Sequence, residues 1–127
     1  MKMRSIEAPG APQATGSYSQ ALEVSGCERW LFVSGQIPET ASGEVPEDFA
    51  SQCRLAWSNV EAQLRAAGMS FDNLVKVTTF LSDRRHGPEN SAIRQQVLGD
   101  RSPALTVIVA GIYDEKWLLE IEVIAAG

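Results

Sequence analysis

The sequence predicts an α+β domain, one mixed sheet with two helices on one face. Three observations carry that expectation. Phe49, Cys53, Ala56, Trp57, Val60, Leu64 and Ala67 recur at spacings of three and four, a single apolar stripe on a helix. Residues 75–81 and 106–110 are short runs rich in β-branched side chains. The segments follow one another as β-β-α-β-α-β-β, and strands separated by a helix require parallel crossovers, normally right-handed.

Taken in order, residues 8–16 hold Pro9, Gly10, Pro12 and Gly16 and read as an extended or turning arm. Residues 19–24 and 30–34 read as strands, and Ser25-Gly26-Cys27-Glu28-Arg29 between them suggests a hairpin. The apolar stripe follows. Glu47 and Asp48 suit the positive end of its helix dipole, and Gly68 suits its end. After the strand at 75–81, Pro88 fits the first turn of a shorter helix over 90–98, with Ile93 and Val97 inward and Gly99 closing it. The run 106–110 reads as a strand buried on both faces. Residues 117–125 form the last strand. The other sheet face has no cover within the chain, so a partner subunit is expected there.

With 127 residues, 44% of them hydrophobic and 21% charged, the chain supports one core and one domain, residues 1–127. Its formal charge of −5 argues against a nucleic-acid partner. Arg84, Arg85 and His86 form a local basic triplet, whose plain reading is a solvated loop. Two cysteines outside any CxxC pair and one histidine exclude a standard Cys/His metal cluster from one chain. Cys53 lies on the apolar stripe and reads as an inert buried thiol. No apolar segment follows the basic N-terminus and no stretch approaches a membrane span. A cytoplasmic protein without membrane contact is therefore expected.

Chemistry concentrates in three places. In the last strand Leu118, Glu120, Glu122 and Ile124 share one face, opposite Trp117, Leu119, Ile121, Val123 and Ala125. The plain reading of two carboxylates on one face is a charged edge that discourages aggregation. On a covered face they would instead suit general acid–base work. Gly16-Ser17-Tyr18-Ser19-Gln20 joins a glycine turn to a phenol and hydroxyls. Val33-Ser34-Gly35-Gln36-Ile37-Pro38 runs a strand into a glycine that a small ligand can approach closely. There is no nucleophile elbow and no phosphate-binding glycine loop.

Together the last two motifs resemble the opening signature of the Rid (YjgF, RidA) family of reactive intermediate deaminases, Gly-Pro-Tyr-Ser-Gln followed by Val-Ser-Gly-Gln-Ile-Pro. Further matches run in order: Gln52, Asn59, Ala67-Gly68, Val75-Lys76, Phe80-Leu81-Ser82-Asp83, Asn90, Pro103-Ala104 and Glu120-Ile121-Glu122 with Ala125. The resemblance spans about residues 8–126. It implies a chorismate-mutase-like (YjgF-like) fold, a six-stranded mixed sheet with two helices on one face, in a homotrimer. It also implies a small-molecule ligand between subunits and no cofactor or metal. Residue by residue, it makes Glu120 the catalytic group that orders the attacking water. Tyr18, Ser34, Gly35 and Gln36 line the pocket.

One departure stands out. Where the family reads Pro-Ala-Arg, this chain reads Pro103-Ala104-Leu105, so Leu105 occupies the substrate-binding position of the family's carboxylate-gripping arginine. Losing such a partner costs on the order of 2–5 kcal/mol of binding. Ser17 also replaces a proline, and the stretch between Asp83 and Asn90 is about one residue short. The sequence leaves open whether another arginine, Arg101 or one from a neighbouring subunit, fills the role. Two function classes follow. One is an enamine or imine deaminase-like hydrolase that is not a standard 2-iminopropanoate deaminase. The other is a non-catalytic ligand-binding or regulatory trimer. An endoribonuclease, a label sometimes given to the family, fits worst, given the negative charge and the lack of a histidine pair.

Overall fold

The computed structural model describes all 127 residues. Six strands and two α-helices follow the order β1 (Lys2–Ile6), β2 (Ala21–Ser25), β3 (Trp30–Gln36), α1 (Phe49–Ala66), β4 (Leu74–Leu81), α2 (Gly87–Leu98), β5 (Ala104–Val109) and β6 (Leu119–Ala126). The six strands divide into a β1-β2 ribbon and a four-stranded sheet of order β3-β6-β4-β5. β3 and β4 both run antiparallel to β6, and β5 runs parallel to β4. The connections through α1 and α2 are thus the expected parallel crossovers.

α1 forms where the stripe predicts. The Asp48 carboxylate caps it by accepting from the Ser51 N–H at 2.9 Å. Gly68 follows its C-cap at a φ of 73°, a conformation glycine enters freely. Its inward face, Cys53, Ala56, Trp57, Val60 and Leu64, meets Val33, Val77, Ile121 and Val123 of the sheet and Ile93 and Leu98 of α2 in one core. Fully burying a side chain of this size contributes about 1.5–3 kcal/mol. Both helices therefore lie on one sheet face. Cys53 is buried in that core and desolvation pushes its thiol up to about 12, so it stays protonated and unreactive.

Three expectations are corrected. The segments at 19–24 and 30–34 do not form a hairpin. β2 pairs with β1, a strand at residues 2–6 that the sequence pattern did not announce, and β3 pairs with β6 at the far end of the chain. The ribbon is fastened to the main sheet by Ser19, which bridges to Ala104, donates its N–H to Pro103 O and its hydroxyl to Ser102 O. The run at 106–110 is not buried on both faces. β5 is the edge strand, and Val107, Ile108 and Val109 are each more than 40% exposed. The basic triplet is not simply a solvated loop, because His86 stacks on Phe49 with ring centroids 4.5 Å apart.

The sheet face away from the helices stays open. Phe32 is 73% exposed there, alongside Trp30, Ile108 and half-buried Phe80 and Ile124.

Candidate functional site

Four of the candidate residues come together at one edge of the sheet. Val33 pairs with Val123 and Gln36 with Ile121, so β3 carries one more residue than β6 over this stretch. That bulge lifts Ser34 and Gly35 out of register. The Gln36 amide donates to Ser34 O at 2.9 Å and holds the bulge. Glu120 occupies the space this opens. A Cβ on Gly35 would overlap Glu120 Oε2 and lie 2.7 Å from its Cδ. Only a residue without a Cβ at position 35 leaves the carboxylate where it stands. Glu120 is half-buried on the open sheet face and pairs across β4 with Phe80, on the face the two-residue period assigned to it.

Tyr18 and Leu105 lie at the opposite edge. Each stands one residue from the Ser19–Ala104 bridge. Leu105 is level with Val77 and packs against the helix-side core. The Tyr18 hydroxyl receives the Thr15 N–H at 3.3 Å and lies 3.4 Å from the Thr15 hydroxyl. These hydrogen bonds pull the phenol below its ordinary value. Three strand spacings, about 14 Å, separate β3 from β5. One chain therefore brings together Ser34, Gly35, Gln36 and Glu120, and separately Tyr18 and Leu105, but does not join the two groups.

Several other matched residues are structural. The Gln52 amide donates to Pro46 O and Lys116 O, and its carbonyl accepts from the Leu118 N–H. Asn59 donates to Ile37 O and Glu39 O, which shapes the loop after β3. Asn90 is different: it is buried on α2 and its Nδ2 has no acceptor. One turn on, Arg94 is also buried, and its Nε has no acceptor. The sequence reading overlooked Arg94. The signal was there, since positions 90, 93, 94 and 97 share the inward face of α2. Arg101 is already engaged, with Asp72 at 2.7 Å and Leu98 O at 3.1 Å.

The crossover α+β architecture and the β3 bulge filled by the Glu120 carboxylate define the class of fold and its candidate site. The chain belongs to the Rid family. Residues 8–127 match the family model described as endoribonuclease L-PSP. A RutC family protein of Aquifex aeolicus is 37% identical over 124 residues, covering 95% of each chain. TdcF of Escherichia coli K12, described as a candidate reactive intermediate deaminase, is 32% identical over 94% of each. Among solved structures, the Rid-family protein YyfB of Yersinia pestis covers all of both chains with a TM-score of 0.84 at 27% identity. E. coli TdcF with bound serine gives 0.73 at 32% identity, over 98% of each chain.

No helix is long and apolar enough to cross a membrane.

Proposed function

We propose that this protein is a Rid-type hydrolase of small imines or enamines. It works in a pocket between neighbouring subunits of a homotrimer, and 2-iminopropanoate is not its preferred substrate. The observation that carries the reading is the Glu120 carboxylate seated over the Gly35 bulge. A side chain in that place can hold a water against an imine carbon and accept its proton. An enamine first takes a proton at carbon and becomes the imine; water then adds to C=N to give a carbinolamine. A proton passes to nitrogen, the C–N bond breaks, and a carbonyl compound and ammonia leave. The open face bearing Phe32 supports the trimer, because a neighbour seated there can bring its Tyr18 edge to this chain's Glu120 edge. The relative with bound serine supports a ligand of amino-acid size. Leu105 supports the second reading, a binding trimer without catalysis, because it offers the substrate no donor.

Four proteins separate the two: wild type, Leu105→Arg, Glu120→Gln and the double variant. Each is assayed with freshly generated 2-iminopropanoate in competition with semicarbazide. The expected result is a gain in hydrolysis in Leu105→Arg alone, on the order of ten-fold above wild type, the worth of one charge-assisted hydrogen bond. If the double variant matches Leu105→Arg, Glu120 is structural. If Leu105→Arg stays trimeric and gains nothing, the non-catalytic reading replaces the enzymatic one.

A further inference from the structure

Arg94 is 93% buried on α2, and none of the chain's three ion pairs includes it. Its Nε is shut off from solvent and meets no acceptor, and the same holds for Nδ2 of Asn90 one turn earlier. Burial holds the guanidinium below its ordinary pKa, and the charge of the Tyr18 phenol, with that of Cys53, opposes this only in part. One terminal nitrogen would lie 3.9 Å from a Cβ on Gly16, so the guanidinium reaches beneath the Gly16–Tyr18 turn. Two buried donors one helical turn apart, neither with an acceptor, leave a large desolvation cost unmet. An anion seated there would meet it.

We infer that Arg94, with Asn90 and Tyr18, forms an anion-binding site for the carboxylate of a small ligand, taking from α2 the role that Leu105 cannot fill from β5. This rests on the pocket reading above and deepens it. A guanidinium offered from a helix holds the carboxylate elsewhere relative to the reacting carbon. That is why 2-iminopropanoate is poorly placed while small carboxylates still bind.

The test is binding, so it does not depend on hydrolysis. Pyruvate and its neutral isostere pyruvamide are titrated calorimetrically into the wild-type protein and into Arg94→Gln, Arg94→Lys and Arg101→Gln. Wild type should prefer pyruvate at least ten-fold. Arg94→Gln should lose that preference, Arg94→Lys should keep part of it, and Arg101→Gln should keep all of it. In parallel, the Arg94 Nε–Hε resonance of the unmodified protein should move downfield with pyruvate and stay still with pyruvamide, which decides the matter even if the variants fold poorly. Equal binding of pyruvate by wild type and Arg94→Gln overturns the assignment, as does an unmoved resonance. If Arg94→Gln breaks the assembly while wild type shows no pyruvate preference, Arg94 pairs with a neighbouring subunit and the site is refuted. Failure here with Glu120-dependent hydrolysis intact leaves the hydrolase reading standing.

Discussion

At the β3–β6 edge the chain closes on itself: a bulge lifts Gly35, and Glu120 fills the space to within van der Waals limits. At the β5 edge it does the opposite. Val107, Ile108 and Val109 stand exposed, and Arg94 and Asn90 hold buried donors with nothing to receive them. The first region is finished by the fold. The second is left open by the single chain. The difference separates what a substitution should do in each: packing errors dominate at the first edge, lost partners at the second.

The largest effect belongs to the finished edge. In Gly35→Ala the new methyl and the Glu120 carboxylate cannot share one space, and the carboxylate is the part that can swing away. The fold should survive at a cost of about 1–3 kcal/mol, the usual range for overpacking. Displacing a water-holding group by about 1 Å is enough to lower turnover on the order of 100-fold. Read in the Leu105→Arg background by imine hydrolysis and thermal unfolding, Gly35→Ala should lose activity. Adding Glu120→Ala should then recover the stability without the activity. If Gly35→Ala turns over normally, the carboxylate over the bulge is not the working group.

The unfinished regions predict assembly. Wild type should sediment as a particle of about three times 13.8 kDa. Phe32 is the most exposed large residue of the open sheet face and lines a groove with Ser34, Lys76, Thr78 and Glu122. Phe32→Glu adds a charge beside Glu122 and removes an aromatic anchor, a change worth upward of about 2 kcal/mol at an interface. Light scattering should show it shifted to monomer at micromolar concentration. A wild-type monomer would undo the intersubunit pocket altogether. A trimeric Phe32→Glu would move the interface to another face.

What was legible in the sequence divides along similar lines. α1 was readable from its stripe, its acidic start at Glu47 and Asp48 and its Gly68 stop, which are all local; that Asp48 caps the helix came from the structure. The face of Glu120 was readable too, since strand alternation depends only on counting. Strand partners were not. Nothing in residues 19–34 says that β2 turns back to β1 while β3 waits for β6 some ninety residues later. The apolar run of β5 looked doubly buried because an edge awaiting a partner and a central strand have the same composition. Arg94 was missed although its spacing from Asn90, Ile93 and Val97 put it on the inward face of α2, because a charged residue on a short helix is usually solvated.

The smallest effect tests a contact between α1 and the turn before α2, away from both edges. His86 stacks on Phe49 with its ring within 10° of parallel, and its Nε2 is buried without a partner. Desolvation, aided by Arg85, holds its pKa below the ordinary 6.5, and Asp83 and Glu89 oppose that only in part. The folded protein thus binds a proton at His86 less readily than the unfolded chain does. Stability from this group is complete above the unfolded value and is lost as pH falls from about 6.5 through the folded value, with no further loss below it. Asp48 and Asp83 also have lowered pKa values, set chiefly by backbone hydrogen bonds from Ser51 and Arg85. They act in a separate window, beneath the ordinary carboxylate value of 3.8. His86→Phe keeps a ring against Phe49 and removes the titration. Thermal unfolding followed at pH 8, 7, 6, 5 and 4 should show wild type losing stability between pH 7 and 5 more steeply than His86→Phe, with the two curves parallel below that. Parallel curves over the whole range would mean that the imidazole is protonated as easily in the folded chain as in water, and that the stack does not exclude solvent from it.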